Sequence, residues 1–81
     1  MTVNVQFYAQ LRDLAGVSNL NVDVDYGATI ADLLAKIYAL QPVLRAHDQS
    51  ILVAAGVDFV ARNHVLSEGE EIAIMPPVQG G

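Results

Sequence analysis

The sequence predicts an α+β domain in which one main helix packs across a mixed sheet of four to five strands. Three observations carry this. Two alternating apolar and polar stretches open the chain, one stripe of helical period follows, and short apolar runs between turn residues close it.

Each element can be argued from its residues. Val3, Val5 and Phe7 alternate with Asn4, Gln6 and Tyr8, which is the pattern of a half-buried strand. Leu11 to Leu14 is too short to be more than a helical turn, and Gly16 ends it. Asn19 to Val24 alternates again, with Leu20, Val22 and Val24 facing inward, so the two strands read as an antiparallel pair. Tyr26-Gly27 breaks the pattern. Thr29 is placed as a helix N-cap, with Asp32 three residues later in a capping-box arrangement. Ile30, Leu33, Leu34, Ile37 and Leu40 form one helical stripe, and Pro42 stops the helix near Gln41.

Beyond Pro42, Val43 to Ser50 reads as loop or a second short turn. Ile51 to Ala55 is expected to be a central strand, and Asp58 to Ala61 a short one. Ser67-Glu68-Gly69 is a turn, and Glu70 to Met75 is the last strand, ended by Pro76 and Pro77. The order is β-β-α-β-(β)-β, with the first strand expected beside the last. That is the order of a β-grasp, or ubiquitin-like, roll. Residues 1–75 form this domain, and residues 76–81 form an extended tail.

The gross composition narrows the function. Eighty-one residues make one domain. There is no cysteine, hence no disulfide and no thiolate metal site. Nine acids against four bases give a net charge of -5. Nucleic acid is a poor partner for such a chain, because phosphate binding needs clustered Lys and Arg. Docking onto a basic protein suits it better. No apolar run approaches the ~20 residues that span a membrane. Nothing at Met1-Thr2-Val3-Asn4 reads as a signal peptide, so a cytoplasmic location is expected.

The tail is Pro76-Pro77-Val78-Gln79-Gly80-Gly81. Two prolines bias it to an extended path, and six residues reach about 20 Å at ~3.3 Å each. Two glycines carry no side chain to block a narrow channel. Such a tail can place the Gly81 carboxylate inside another protein. A carboxylate is a poor electrophile, and an acyl-adenylate made from ATP is the obvious activated form. Sulfide or a persulfide can then displace AMP and leave a thiocarboxylate. Without cysteine, a sulfur carried by this chain as a nucleophile sits on Gly81. The chain has no phosphate-cradling glycine loop, so activation with ATP is expected from a separate activating enzyme, and no cofactor is expected on this chain.

Ala73 and Met75 are expected on the outer sheet face with Tyr8, as a docking patch for the partner that receives the tail. His47 and His64 stand alone and are assigned no metal. Glu68, Glu70 and Glu71 read as a solvated run, and Arg12 and Asp13 as surface charges. No Ser-His-Asp set or catalytic carboxylate pair is present to make the chain an enzyme on its own.

Phe7-Tyr8-Ala9-Gln10-Leu11-Arg12-Asp13 with Gly16, Gly27-Ala28-Thr29-Ile30 with Leu33, Leu66 to Ala73, and the tail from Pro76 to Gly81 together resemble the molybdopterin synthase small subunit, of the MoaD/ThiS family of sulfur carriers. The likeness extends over essentially the whole chain. It departs where the family often has Ala-Val-Asn before the fourth strand and this chain has Ala54-Ala55-Gly56-Val57, and where Met75 replaces an aromatic before Pro-Pro. The resemblance implies a heterotetramer with the molybdopterin synthase large subunit, whose active site takes the tail. It implies loading of Gly81 by an E1-like adenylyltransferase, and sulfur donation to cyclic pyranopterin monophosphate in molybdenum cofactor biosynthesis. Two other readings stay open: a carrier for thiazole or another thiolation pathway, and a ubiquitin-like modifier or interaction module.

Overall fold

The structure is a computed structural model, and it describes residues 1–77. Its elements are β1 (Thr2–Phe7), α1 (Gln10–Ala15), β2 (Asn19–Asp23), α2 (Ile30–Leu40), a 3₁₀ helix (Pro42–Ser50), β3 (Leu52–Ala55), β4 (Asp58–Phe59) and β5 (Glu71–Met75). The five strands make one mixed sheet in the order β2-β1-β5-β3-β4. The first strand does lie beside the last: β1 and β5 are parallel, with Asn4 opposite Glu71 and Phe7 opposite Ile74. The other neighbours are antiparallel. This is the β-grasp arrangement.

One face of the sheet carries the core. Val3, Val5, Phe7, Val22, Val53, Ile72 and Ile74 meet Ile30, Leu33, Leu34 and Ile37 of α2. The strand residues arrive there because their alternation puts every second side chain on one face. Thr29 caps α2 as expected. Its Oγ1 accepts from the Asp32 N–H at 3.3 Å, and its own N–H donates to Asp32 Oδ2 at 2.9 Å. The next two donors are met from outside the helix: Ile30 N–H by the His64 carbonyl at 3.0 Å, and Ala31 N–H by the Arg62 carbonyl at 2.9 Å. The segment after β4 thus closes the start of α2 and satisfies donors that a helix leaves orphaned.

Three expectations are corrected. Leu40 is 59% exposed, and Tyr38 takes its place in the core. The cause is that α2 ends at Leu40, where the chain turns away into Gln41-Pro42. β3 is an interior strand, as expected, flanked by β5 and β4, and β5 is the middle of the sheet. Residues 42–50 are a nine-residue 3₁₀ helix, longer than the loop or short turn expected there, with Pro42 in its first turn and Leu44 fully buried. Leu11 to Leu14 lies in a six-residue helix that buries Leu11 and Ala15 and ends at Gly16, whose φ of 77° is left-handed.

Candidate functional site

The site argued from the sequence has two parts, a tail and a docking patch. Val78, Gln79, Gly80 and Gly81 lie outside the described residues. Pro76 and Pro77 are described: they leave the end of β5 half-buried and exposed, respectively. Since β5 is the middle strand, the tail departs from the centre of the sheet edge.

Ala73 and Met75 are half-buried on the sheet face away from the core, alternating with buried Ile72 and Ile74. Tyr8 is 48% exposed, and its N–H donates to the Ile74 carbonyl at 3.1 Å, which holds it at the end of β5 from which the tail leaves. These three residues therefore lie close to one another and to Pro76.

The pairing register adds residues that the sequence reading missed. Met75 is opposite Leu52, Ala73 is opposite Ala54, and Ala54 is opposite Phe59. Directly opposed residues share a face. The outer face of β5, β3 and β4 therefore presents Met75, Ala73, Leu52, Ala54 and a Phe59 that is 66% exposed. A clue was available in the alternation of Leu52 with Val53 and of Phe59 with Val60. Both runs are so apolar throughout that their faces could not be told apart before the register was known.

The other half of the same face is polar and internally bonded. Thr2 Oγ1 donates to Asp23 Oδ1 at 2.6 Å, Asn4 Nδ2 to Asn21 Oδ1 at 2.9 Å, and Gln6 Nε2 to Asn4 Oδ1 at 2.8 Å. The face is thus split between a polar ladder on β1 and β2 and an apolar area on β5, β3 and β4.

A second polar cluster lies on the helix side. Tyr38 Oη donates to Asp48 Oδ1 at 2.5 Å, and Arg62 Nη1 donates to the same oxygen at 2.9 Å. Arg62 Nη2 reaches the carbonyls of Asp48 and Ile51 at 2.7 and 3.1 Å. The Tyr38 hydrogen bond, then that of Arg62, holds the Asp48 carboxyl below its ordinary range. Burial, then the Asp48 bond, pushes the Tyr38 hydroxyl well above its own. These groups satisfy one another, and they fasten the 3₁₀ helix to α2.

His64 does not stand alone, and Glu70 is not solvated. His64 Nε2 lies 3.0 Å from Glu70 Oε2, and Glu70 Oε1 accepts from the Ser67 N–H at 3.0 Å. The pair braces the turn before β5. The end of β5 thus brings together an apolar outer face, an exposed tyrosine and a diproline exit.

The domain is a β-grasp whose outer sheet face is apolar beside the end of its middle strand. The chain belongs to the ThiS family, whose model matches residues 5–81. It is 34% identical to a molybdopterin synthase sulfur carrier subunit of Chlamydomonas reinhardtii, covering 100% of both chains. It is 33% identical to the protein of that description from Escherichia coli, covering 98% of this chain and 99% of the other. Among solved structures it is similar to SAMP1 from Haloferax volcanii, with 29% identity, full coverage of both chains and a TM-score of 0.89.

Proposed function

We propose that this chain is the sulfur carrier subunit of a molybdopterin synthase. Gly81 is adenylated by an E1-like enzyme using ATP, and sulfide or a persulfide then displaces AMP to leave a thiocarboxylate. The tail enters the large subunit, where the thiocarboxylate gives its sulfur to cyclic pyranopterin monophosphate. The observation that carries this reading is the full-length likeness to proteins described as that subunit.

The geometry supplies a compatible dock. Leu52, Phe59 and Met75 form an apolar surface beside the tail exit, while the neighbouring polar ladder is already satisfied. Covering the first from water is favourable, whereas covering the second gains little. The chain's net charge of -5 favours a basic large subunit.

A second reading has one observation in its favour. A relative described as small archaeal modifier protein 1, from Haloferax volcanii, is 30% identical over 94% of this chain. A modifier would join Gly81 to lysines of other proteins instead of loading it with sulfur.

The test is transfer. Thiocarboxylated chain is mixed with the large subunit and cyclic pyranopterin monophosphate. The reading expects the chain to return to the carboxylate as the dithiolene product forms. A thiocarboxylate left intact in a competent large subunit assigns the sulfur to a different acceptor.

A further inference from the structure

The chain contains two methionines, Met1 and Met75, and no cysteine. Peroxides attack sulfur, so a chain without a thiol offers its methionines as the targets. The two are placed differently. Met1 precedes β1, where its carbonyl accepts from the Val24 N–H at 2.8 Å and it packs against the core. Met75 ends β5 on the outer face, half-buried, opposite Leu52 and next to Pro76. Leu52, Ala54, Ala73 and Phe59, which share that face, are hydrocarbon side chains. Mild peroxide leaves them alone, and none carries a hydrogen-bond donor.

We propose that Met75 is an oxidation site that switches the docking face. As the thioether it belongs to the apolar surface beside the tail exit. As the sulfoxide it weakens the grip of the large subunit on that surface. The inference rests on the proposed dock between this face and the large subunit. The oxidant is a hydroperoxide. The Met75 sulfur attacks one peroxide oxygen, the O–O bond breaks and the S–O bond forms, and the other oxygen leaves as water or an alcohol. Sulfur is oxidised and the peroxide is reduced.

The sulfoxide turns an apolar side chain into a polar one. Covering it with a partner takes water from a strong acceptor, and the hydrocarbon side chains around it give no donor in return. The cost falls on the interface and not on the fold, because Ile72 and Ile74 of β5 face the core while Met75 faces away from it. Reductases restore the thioether, so the change is reversible.

The test compares one chain in two oxidation states. The full chain is treated with hydrogen peroxide until Met75 has gained one oxygen, mapped by fragmentation, and its affinity for the large subunit is measured by titration calorimetry. Affinity is expected to fall about tenfold or more, and methionine sulfoxide reductases are expected to return it to the untreated value. Met75→Leu sets its own baseline affinity. The same treatment, which still reaches Met1, is expected to leave that baseline unmoved.

Oxidised wild type that binds as tightly as untreated wild type would overturn the proposal. So would an equal fall in Met75→Leu, which would assign the effect to Met1, and so would a Met75 that resists peroxide in the folded free chain. Untreated wild type that fails to bind the large subunit would overturn the dock itself, and this proposal with it.

Discussion

Gln6 stands directly across from Ala73 in the parallel pairing of β1 with β5. The pair is the seam of the outer sheet face. On the Gln6 side, Gln6, Asn4 and Asn21 bond through their amides and the Thr2 hydroxyl bonds the Asp23 carboxylate, down β1 and β2. On the Ala73 side lie Ala54, Phe59, Leu52 and Met75. Glu71 ends that row on β5, away from the tail.

The seam separates two outcomes. Phe59→Glu is expected to weaken binding to the large subunit by about 2 kcal/mol or more, the loss seen when a central aromatic anchor is removed. The folding midpoint should barely move, because Phe59 is exposed. Asn21→Ala, across the seam, is expected to leave affinity nearly unchanged. Titration calorimetry on both variants checks this, and equal losses would mean that the partner covers the whole face.

Ala9 has φ 52° and ψ -133° at the start of α1, the one positive φ outside glycine among the described residues. Such backbone costs about 1–3 kcal/mol in a residue with a Cβ, and glycine gives back up to ~1 kcal/mol as extra freedom of the unfolded chain. Ala9→Gly is therefore expected to stabilise the domain by about 1 kcal/mol in chemical denaturation.

The Tyr38–Asp48–Arg62 cluster predicts how stability changes with pH. The Asp48 pKa is lowered in the folded chain from 3.8. Its contribution is therefore present above about pH 4 and lost as pH falls through the folded value. Tyr38 is shifted upward from 10.0, so the unfolded chain ionises first and stability falls as pH rises past 10. Asp48→Asn should flatten the acid limb of a plot of Tm against pH, and Tyr38→Phe the alkaline limb. Unchanged limbs would assign these slopes to other groups.

Leu33 and Leu40 share the apolar stripe in the sequence but not the core. Leu33 is fully buried, and Leu33→Ala is expected to cost about 2–5 kcal/mol. Leu40 is mostly exposed, and Leu40→Gln should change stability by no more than about 0.5 kcal/mol. Urea titrations of the two variants provide the comparison.

Local rules reached most of this fold. Alternation placed β1, β2 and β5, and the Thr29–Asp32 box set the start of α2, because these signals lie within a few residues of one another. What escaped depends on contacts between distant segments. Tyr38 enters the core because Asp48, itself held by Arg62, bonds its hydroxyl, and no periodicity encodes that. His64 looked solitary because its partner, Glu70, is brought to it by the turn between them. Tyr8, Ala73 and Met75 were legible as outward-facing from β1 and β5 alone. Leu52 and Phe59 became neighbours of Met75 and Ala54 only through register, which the chain order does not specify.

The central claim is that Gly81 carries sulfur, and intact-mass measurement tests it most directly. The chain is incubated with ATP, its activating enzyme and a sulfide source, and weighed. The account predicts a mass gain equal to sulfur replacing one oxygen, located on Gly81 by fragmentation and absent when Gly81 is deleted. A chain that keeps its mass while becoming joined to lysines of other proteins would contradict it.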